Sequence, residues 1–229
     1  MFASWCVWRL TERLRAPKVV FWLALGALAT GPLITSIRAN QFFRVPDTRT
    51  LALNFIERTI PSGSTVLIQP YSVPLTPSRP GLEEALTRNL GSIEAASPKF
   101  RLQLSLTPYP EPAYRLLWLG RGGLDAEKIY LDPADLGSPT GLATLRRLGV
   151  TYVILKRYNR LEPELASFVA ALSRRGRLIA RFSPYRPAAS AAELERVEPF
   201  LHNTDTRIDE ALERSGPPLE IWQIDAPDS

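Results

Sequence analysis

The chain has one cysteine and one histidine in 229 residues. A lone cysteine excludes a disulfide framework, and with a single imidazole a Cys/His zinc cluster has too few ligands. No internal repeat, low-complexity tract, GxGxxG spacing, Walker lysine or serine nucleophile elbow is present, so no metal and no cofactor is expected. Charged residues make up 22% and hydrophobic residues 45%, which excludes wholesale disorder, collagen and coiled coil. The length fits one ordinary domain, or one domain plus an appendage.

Charge is also missing locally. From Val19 to Ile37 nineteen consecutive residues, VVFWLALGALATGPLITSI, carry none, between Lys18 and Arg38. As a helix they would reach about 28 Å, close to the hydrocarbon core of a bilayer. The polar stripe of a soluble core helix is reduced to Thr30, Thr35 and Ser36, and Gly31 with Pro32 would kink the helix, which a membrane span tolerates. A buried soluble helix and a cleaved signal peptide are the alternatives. Ile37, Arg38 and Ala39 make a poor cleavage site.

Before this stretch, Arg9, Arg13, Arg15 and Lys18 outweigh Glu12, so three of the five net positive charges lie in residues 1–18. Such a basic flank is retained in the cytoplasm, placing the rest of the chain outside. It also removes the nucleic-acid reading of a basic protein, because the remainder is close to neutral. Phe2, Trp5, Cys6, Val7 and Trp8 resemble the tail of a preceding membrane helix, and an amphipathic helix on the membrane surface fits them about as well. The expected organisation is therefore 1–18 cytoplasmic flank, 19–37 transmembrane helix, 38–46 linker and 47–229 extracytoplasmic domain, with the lipid bilayer as a partner.

Within 47–229 one syntax recurs: an apolar-striped helix, a breaking residue, then a β-branched strand. Asp47 can cap a helix carrying Leu51, Ala52, Phe55, Ile56 and Ile60, ended by Pro61 and Gly63 and followed by Thr65 to Ile68. Leu142, Leu145 and Leu148 precede Gly149 and a strand from Val150 to Leu155; Pro163 to Gly176 leads into Arg177 to Phe182; Leu219 to Ile224 closes the series. The pattern predicts a layered α/β domain with a largely parallel or mixed sheet. Val66, Ile68, Val153, Leu155, Ile179 and Ile221 are expected in one shared core. Between Pro70 and Pro112 eight prolines fall in 43 residues; there Phe100 to Leu106 alternates as a strand would, and the rest reads as extended surface loop of the kind that contacts partners.

Chemistry-bearing candidates are few. The cluster Leu119 to Asp125 (LGRGGLD) reads as a plain turn, since no convincing strand leads into it. Arg174, Arg175 and Arg177 read as a solvated helix end, well placed for the helix dipole. His202, Asp205, Arg207 and Asp209 form the strongest ligand-binding candidate, able in principle to hold sugar hydroxyls or to serve as an acid/base pair through His202 and Asp205. A hydrogen-bonded loop with Asx turns explains the same residues. No catalytic residue is assigned.

Four stretches carry a resemblance: DTRTLALNFIERTIPSGSTVLIQPY from Asp47 to Tyr71, GVTYVILKRYNR from Gly149 to Arg160, RFSPYRP from Arg181 to Pro187, and PFLHNTDTRIDEALERSGPPLEIWQI from Pro199 to Ile224. Following a membrane helix, they resemble the C-terminal end of bacterial membrane glycosyltransferases of family 39, relatives of the protein O-mannosyltransferases and the larger C-type superfamily. The resemblance implies a polytopic enzyme of the bacterial inner membrane that moves a sugar from a polyprenyl-phosphate carrier to a lipid or protein on the outer side. The catalytic acidic residues of that family lie in a loop between early membrane helices, which has no counterpart here, so none transfers. The chain is then expected to be the last span and extracytoplasmic domain, partnered by a multi-span portion and by a polyprenyl-linked sugar or glycan. A free-standing anchored glycan-binding or protein-interaction module, and a periplasmic hydrolase centred on His202, are the other readings.

Overall fold

The computed structural model describes residues 5, 9, 18–123, 125–158, 161, 163–199 and 208–224. The apolar stretch forms one helix, α1 (Lys18–Arg44), continuous through Gly31 and Pro32. It is long and apolar enough to cross a membrane, and most side chains of its apolar stretch, among them Val19, Trp22, Leu23 and Leu33, lie exposed. The hydroxyls of Thr30 and Thr35 donate to the Gly26 and Gly31 carbonyls at 2.7 and 3.0 Å, so these polar groups are satisfied inside the helix. The linker expected over 38–46 is helical through Arg44. It is not a spacer: Phe42 is buried against Val197, Ala211 and Leu212, and Arg38 pairs with Glu210, fastening the end of the helix to the domain.

Helix α2 (Thr48–Thr59) follows almost at once, capped as expected by Asp47, whose carboxylate accepts from the Arg49 N–H at 2.7 Å. The remaining elements run β1 (Thr65–Ile68), α3 (Arg79–Leu90), α4 (Pro98–Ser105), β2 (Arg115–Leu119), β3 (Ile129–Leu131), α5 (Pro133–Leu136), α6 (Gly141–Arg147), β4 (Val150–Lys156), α7 (Pro163–Arg175), β5 (Gly176–Phe182), α8 (Ala191–Arg196) and β6 (Leu219–Ile224). The sheet is mixed, with strand order β3-β2-β1-β4-β6-β5. Strands β1 to β4 are mutually parallel, while β6 runs antiparallel to both β4 and β5. Gly176 lets α7 pass straight into β5, because a Cβ there would stand 2.9 Å from the Leu172 carbonyl.

The single shared core expected from the strands divides in two, as strand alternation demands. Val66, Ile68, Ile154 and Ile221 pack with Ala52, Ile56 and Ile60 of α2 and its C-terminal end, whereas Leu67, Val153, Leu155 and Trp222 pack with Leu145 of α6 and with Phe168 and Leu172 of α7. Ile179 is only partly buried: the β5 register shifts between Leu178 and Ala180, so Ile179 has no partner opposite it on β6.

The proline-rich region is also corrected. Residues 98–105 are helix α4, not a strand, because Phe100 and Leu104 are four apart and meet Leu82 and Leu86 of α3 on one helical face, leaving Leu102 exposed. Pro80 and Pro98 sit in the first turns of α3 and α4. There the missing N–H has no intrahelical partner to lose, so these prolines start helices and do not break them.

Candidate functional site

Of the expected ligand-binding group, His202, Asp205 and Arg207 lie outside the described residues. Asp209 is described: one carboxylate oxygen accepts from the Ala211 N–H at 2.9 Å and the other is 3.5 Å from an Arg196 Nη. It borders a crevice of about 500 Å³ between α1 and α8, lined by Thr35, Arg38, Glu193, Arg196 and Glu210. These contacts give Asp209 a bracing role where α1 meets the domain.

The glycine cluster differs from expectation in one respect, since β2 leads directly into it. Its charged side chains nevertheless find partners on the neighbouring elements. Asp125 accepts from Lys128 Nζ at 2.9 Å and the Tyr130 hydroxyl at 2.8 Å, which holds its carboxyl below the usual carboxylate range. Arg121 bonds Glu164 at the start of α7. The loop is a braced turn, as the turn reading expected.

A different place is singled out by the strand order. The chain passes from β1 outward to β2 and β3, then returns to β4 on the other side of β1. Between the carboxyl ends of β1 and β4 the connections diverge, and in open α/β sheets such a crossover leaves a crevice where ligands bind. Gln69, directly after β1, spans it. Its N–H donates to the Ile154 carbonyl at 3.0 Å, and its side-chain oxygen accepts from the Lys156 N–H at 2.8 Å.

Around this bridge lie Tyr71, Lys156 and Tyr158. The Lys156 Nζ is 5.9 Å from the ring centroids of both tyrosines. Tyr71 has a left-handed backbone, φ 60°, and is 88% exposed. A bulky residue rarely adopts that conformation, so the loop holds the ring out in solvent at a cost in strain. Burial lowers the pKa of Lys156 below the usual lysine range and raises that of the Tyr158 phenol. The neighbouring cations are engaged elsewhere. Arg49 pairs with Asp47 at 2.8 Å, and Arg157 and Arg181 approach the buried Glu220, which also accepts from Trp222 Nε1 at 3.1 Å.

Among the described residues, Lys156 meets no carboxylate, and no three His, Cys, Asp or Glu side chains converge as a metal site would require. The arrangement is thus a half-buried cation flanked by aromatic rings, with the opposite charges of Arg49 and Glu198 both acting on Tyr158, and the Lys156 ammonium is suited to an anion. Sequence reading passed over it; the available signal was a lysine ending the uncharged run VTYVIL, and a glutamine ending TVLI.

Comparison with protein-family models, curated proteins and solved structures finds no match for this chain.

Proposed function

We propose that the chain is the membrane-anchored, extracytoplasmic C-terminal domain, layered α/β in build, of a polyprenyl-phosphate-sugar-dependent glycosyltransferase, and that it does not transfer sugar by itself. The observation that carries this reading is the junction of α1 with the domain: an exposed apolar helix runs through Arg44 and, after three residues, into α2. With the basic flank in the cytoplasm, the α/β domain lies outside the bacterial inner membrane, against its surface. The four stretches resembling family 39 supply the enzyme class.

Lack of independent catalysis follows from chemistry. Sugar transfer to a hydroxyl needs a carboxylate base at the reacting oxygen and a pocket between spans for the lipid carrier. The apolar stretch of α1 has no ionisable group, and Asp47, the first acidic residue beyond it, is committed to capping α2 and to Arg49. The test is transfer from a polyprenyl-phosphate sugar by the purified chain, alone and co-expressed with a multi-span portion. Transfer only in the combination supports the reading; turnover by the chain alone, abolished by Asp47→Asn, overturns it.

A further inference from the structure

The crossover crevice between β1 and β4 lies close to the residues that emerge from α1. Thr48, which opens α2 just after the membrane helix, takes its N–H to the Ser215 carbonyl at 3.0 Å and its hydroxyl to the Pro217 carbonyl at 2.8 Å. The next carbonyl, that of Pro218, accepts from the Arg157 N–H at 2.8 Å. Two short links therefore tie the end of β4 to the residues that emerge from α1. Helix α1 itself extends only seven residues beyond Ile37, about 10 Å, which carries it just past a headgroup layer about 5–8 Å deep.

We infer that this crevice binds the headgroup phosphate of an anionic membrane lipid, with the Lys156 ammonium as counter-ion and the Tyr71 and Tyr158 side chains flanking it. Each ring stands 5.9 Å from Nζ, at the outer limit of a cation–π contact. The rings therefore border the ammonium without capping it. Among the described residues Nζ has no hydrogen-bond acceptor, so its donors are free for phosphate oxygens, and charge-assisted bonds to phosphate are the strong ones. Tyr71, held outward by its backbone, contributes nothing to the core, yet a tyrosine ring with a polar tip suits the headgroup level. A lysine in this position gains from the negative surface potential of anionic lipids.

The inference rests on α1 spanning the bilayer, and the experiment separates the two. Full-length chain in a neutral detergent is titrated calorimetrically with dihexanoyl phosphatidic acid, dihexanoyl phosphatidylcholine and inorganic phosphate. Phosphatidic acid is expected to bind most tightly, and Lys156→Gln or Tyr71→Ala to weaken it at least about tenfold, with Lys156→Arg retaining most of the affinity. Tyr71 is exposed, so its variant keeps the fold and decides the matter if Lys156→Gln does not. Equal binding of phosphatidylcholine, or unchanged affinity in Tyr71→Ala, overturns the site. Equal binding of inorganic phosphate makes it a soluble-phosphate site and overturns the lipid assignment. Flotation with phosphatidylcholine vesicles tests α1 alone: a chain that floats but binds no phosphatidic acid loses only the site, and a chain that does not float loses the span.

Discussion

Replacing Val153 by alanine should cost much more than the same change at Ile179, although the two look alike in sequence. Val153 is fully buried in the middle of β4, between Leu67 of β1 and Trp222 of β6, in the cluster that includes Phe168 and Leu145. Removing two buried methyls forfeits about 1.6 kcal/mol of transfer free energy at about 0.8 each, and the unfilled space raises the total to about 2–3 kcal/mol. Thermal unfolding of the full chain in neutral detergent, followed by near-ultraviolet circular dichroism, should shift down by roughly 2–4 °C per kcal/mol, or about 4–12 °C. Ile179 sits at the register shift of β5 and is partly open to solvent, so Ile179→Ala should move the midpoint by less than half as much. The aspartates sharpen the contrast. Val153→Asp buries an unpaired charge and should prevent folding, whereas the Ile179→Asp carboxylate can reach water. Equal shifts for the two alanines, or a folded Val153→Asp, would refute the division of the core between the two sheet faces.

The junction offers two further tests. Gly216 has φ 97°, and a Cβ there would run into the Thr48 hydroxyl and the Asp47 carboxylate; Gly216→Ala should destabilise the domain by about 1–3 kcal/mol, read as a lowered midpoint. Asp47→Ala removes the α2 cap and should cost about 1 kcal/mol. Burial of Asp47 opposes ionisation, but hydrogen bonds from Arg49 and its charge outweigh it and hold the carboxyl below 3.8. Its folded pKa being the lower, the unfolded chain binds the proton more readily. The contribution is therefore full above pH 3.8 and lost as pH falls through the folded value. Wild-type stability should drop across that acid range more steeply than that of Asp47→Asn; parallel curves would exclude a role for this carboxylate.

Strands β1 and β6 are legible to the residue, and β4 to within one, because short apolar runs rich in β-branched residues stand between glycines, prolines and polar turns. The helix–break–strand syntax marks α2, α6 and α7 for the same reason. Phe100 to Leu106 misleads because apolar residues at every second position also supply an i, i+4 pair, and only the neighbouring α3 decides which spacing is buried. Pro80 and Pro98 mislead because a proline starts or breaks a helix according to its position in the first turn. The crossover crevice is hidden for another reason. Gln69, Tyr71 and Lys156 come together through strand order, a long-range property, and no local spacing connects residues 85 or more apart. Of the expected ligand-binding residues, Asp209 is braced at the α1 junction, and its Asx turn to Ala211 was legible in its residue type.

The proposal that α1 holds the domain outside the membrane is tested most directly by thiol accessibility in sealed cells. Cys6 is the only native thiol and lies on the basic flank; a second is introduced as Ser105→Cys at the exposed end of α4, in a Cys6→Ser background. An impermeant maleimide should label position 105 from outside and reach Cys6 only after permeabilisation. Labelling of Cys6 in sealed cells with position 105 protected would reverse the orientation, and protection of both until lysis would place the domain in the cytoplasm.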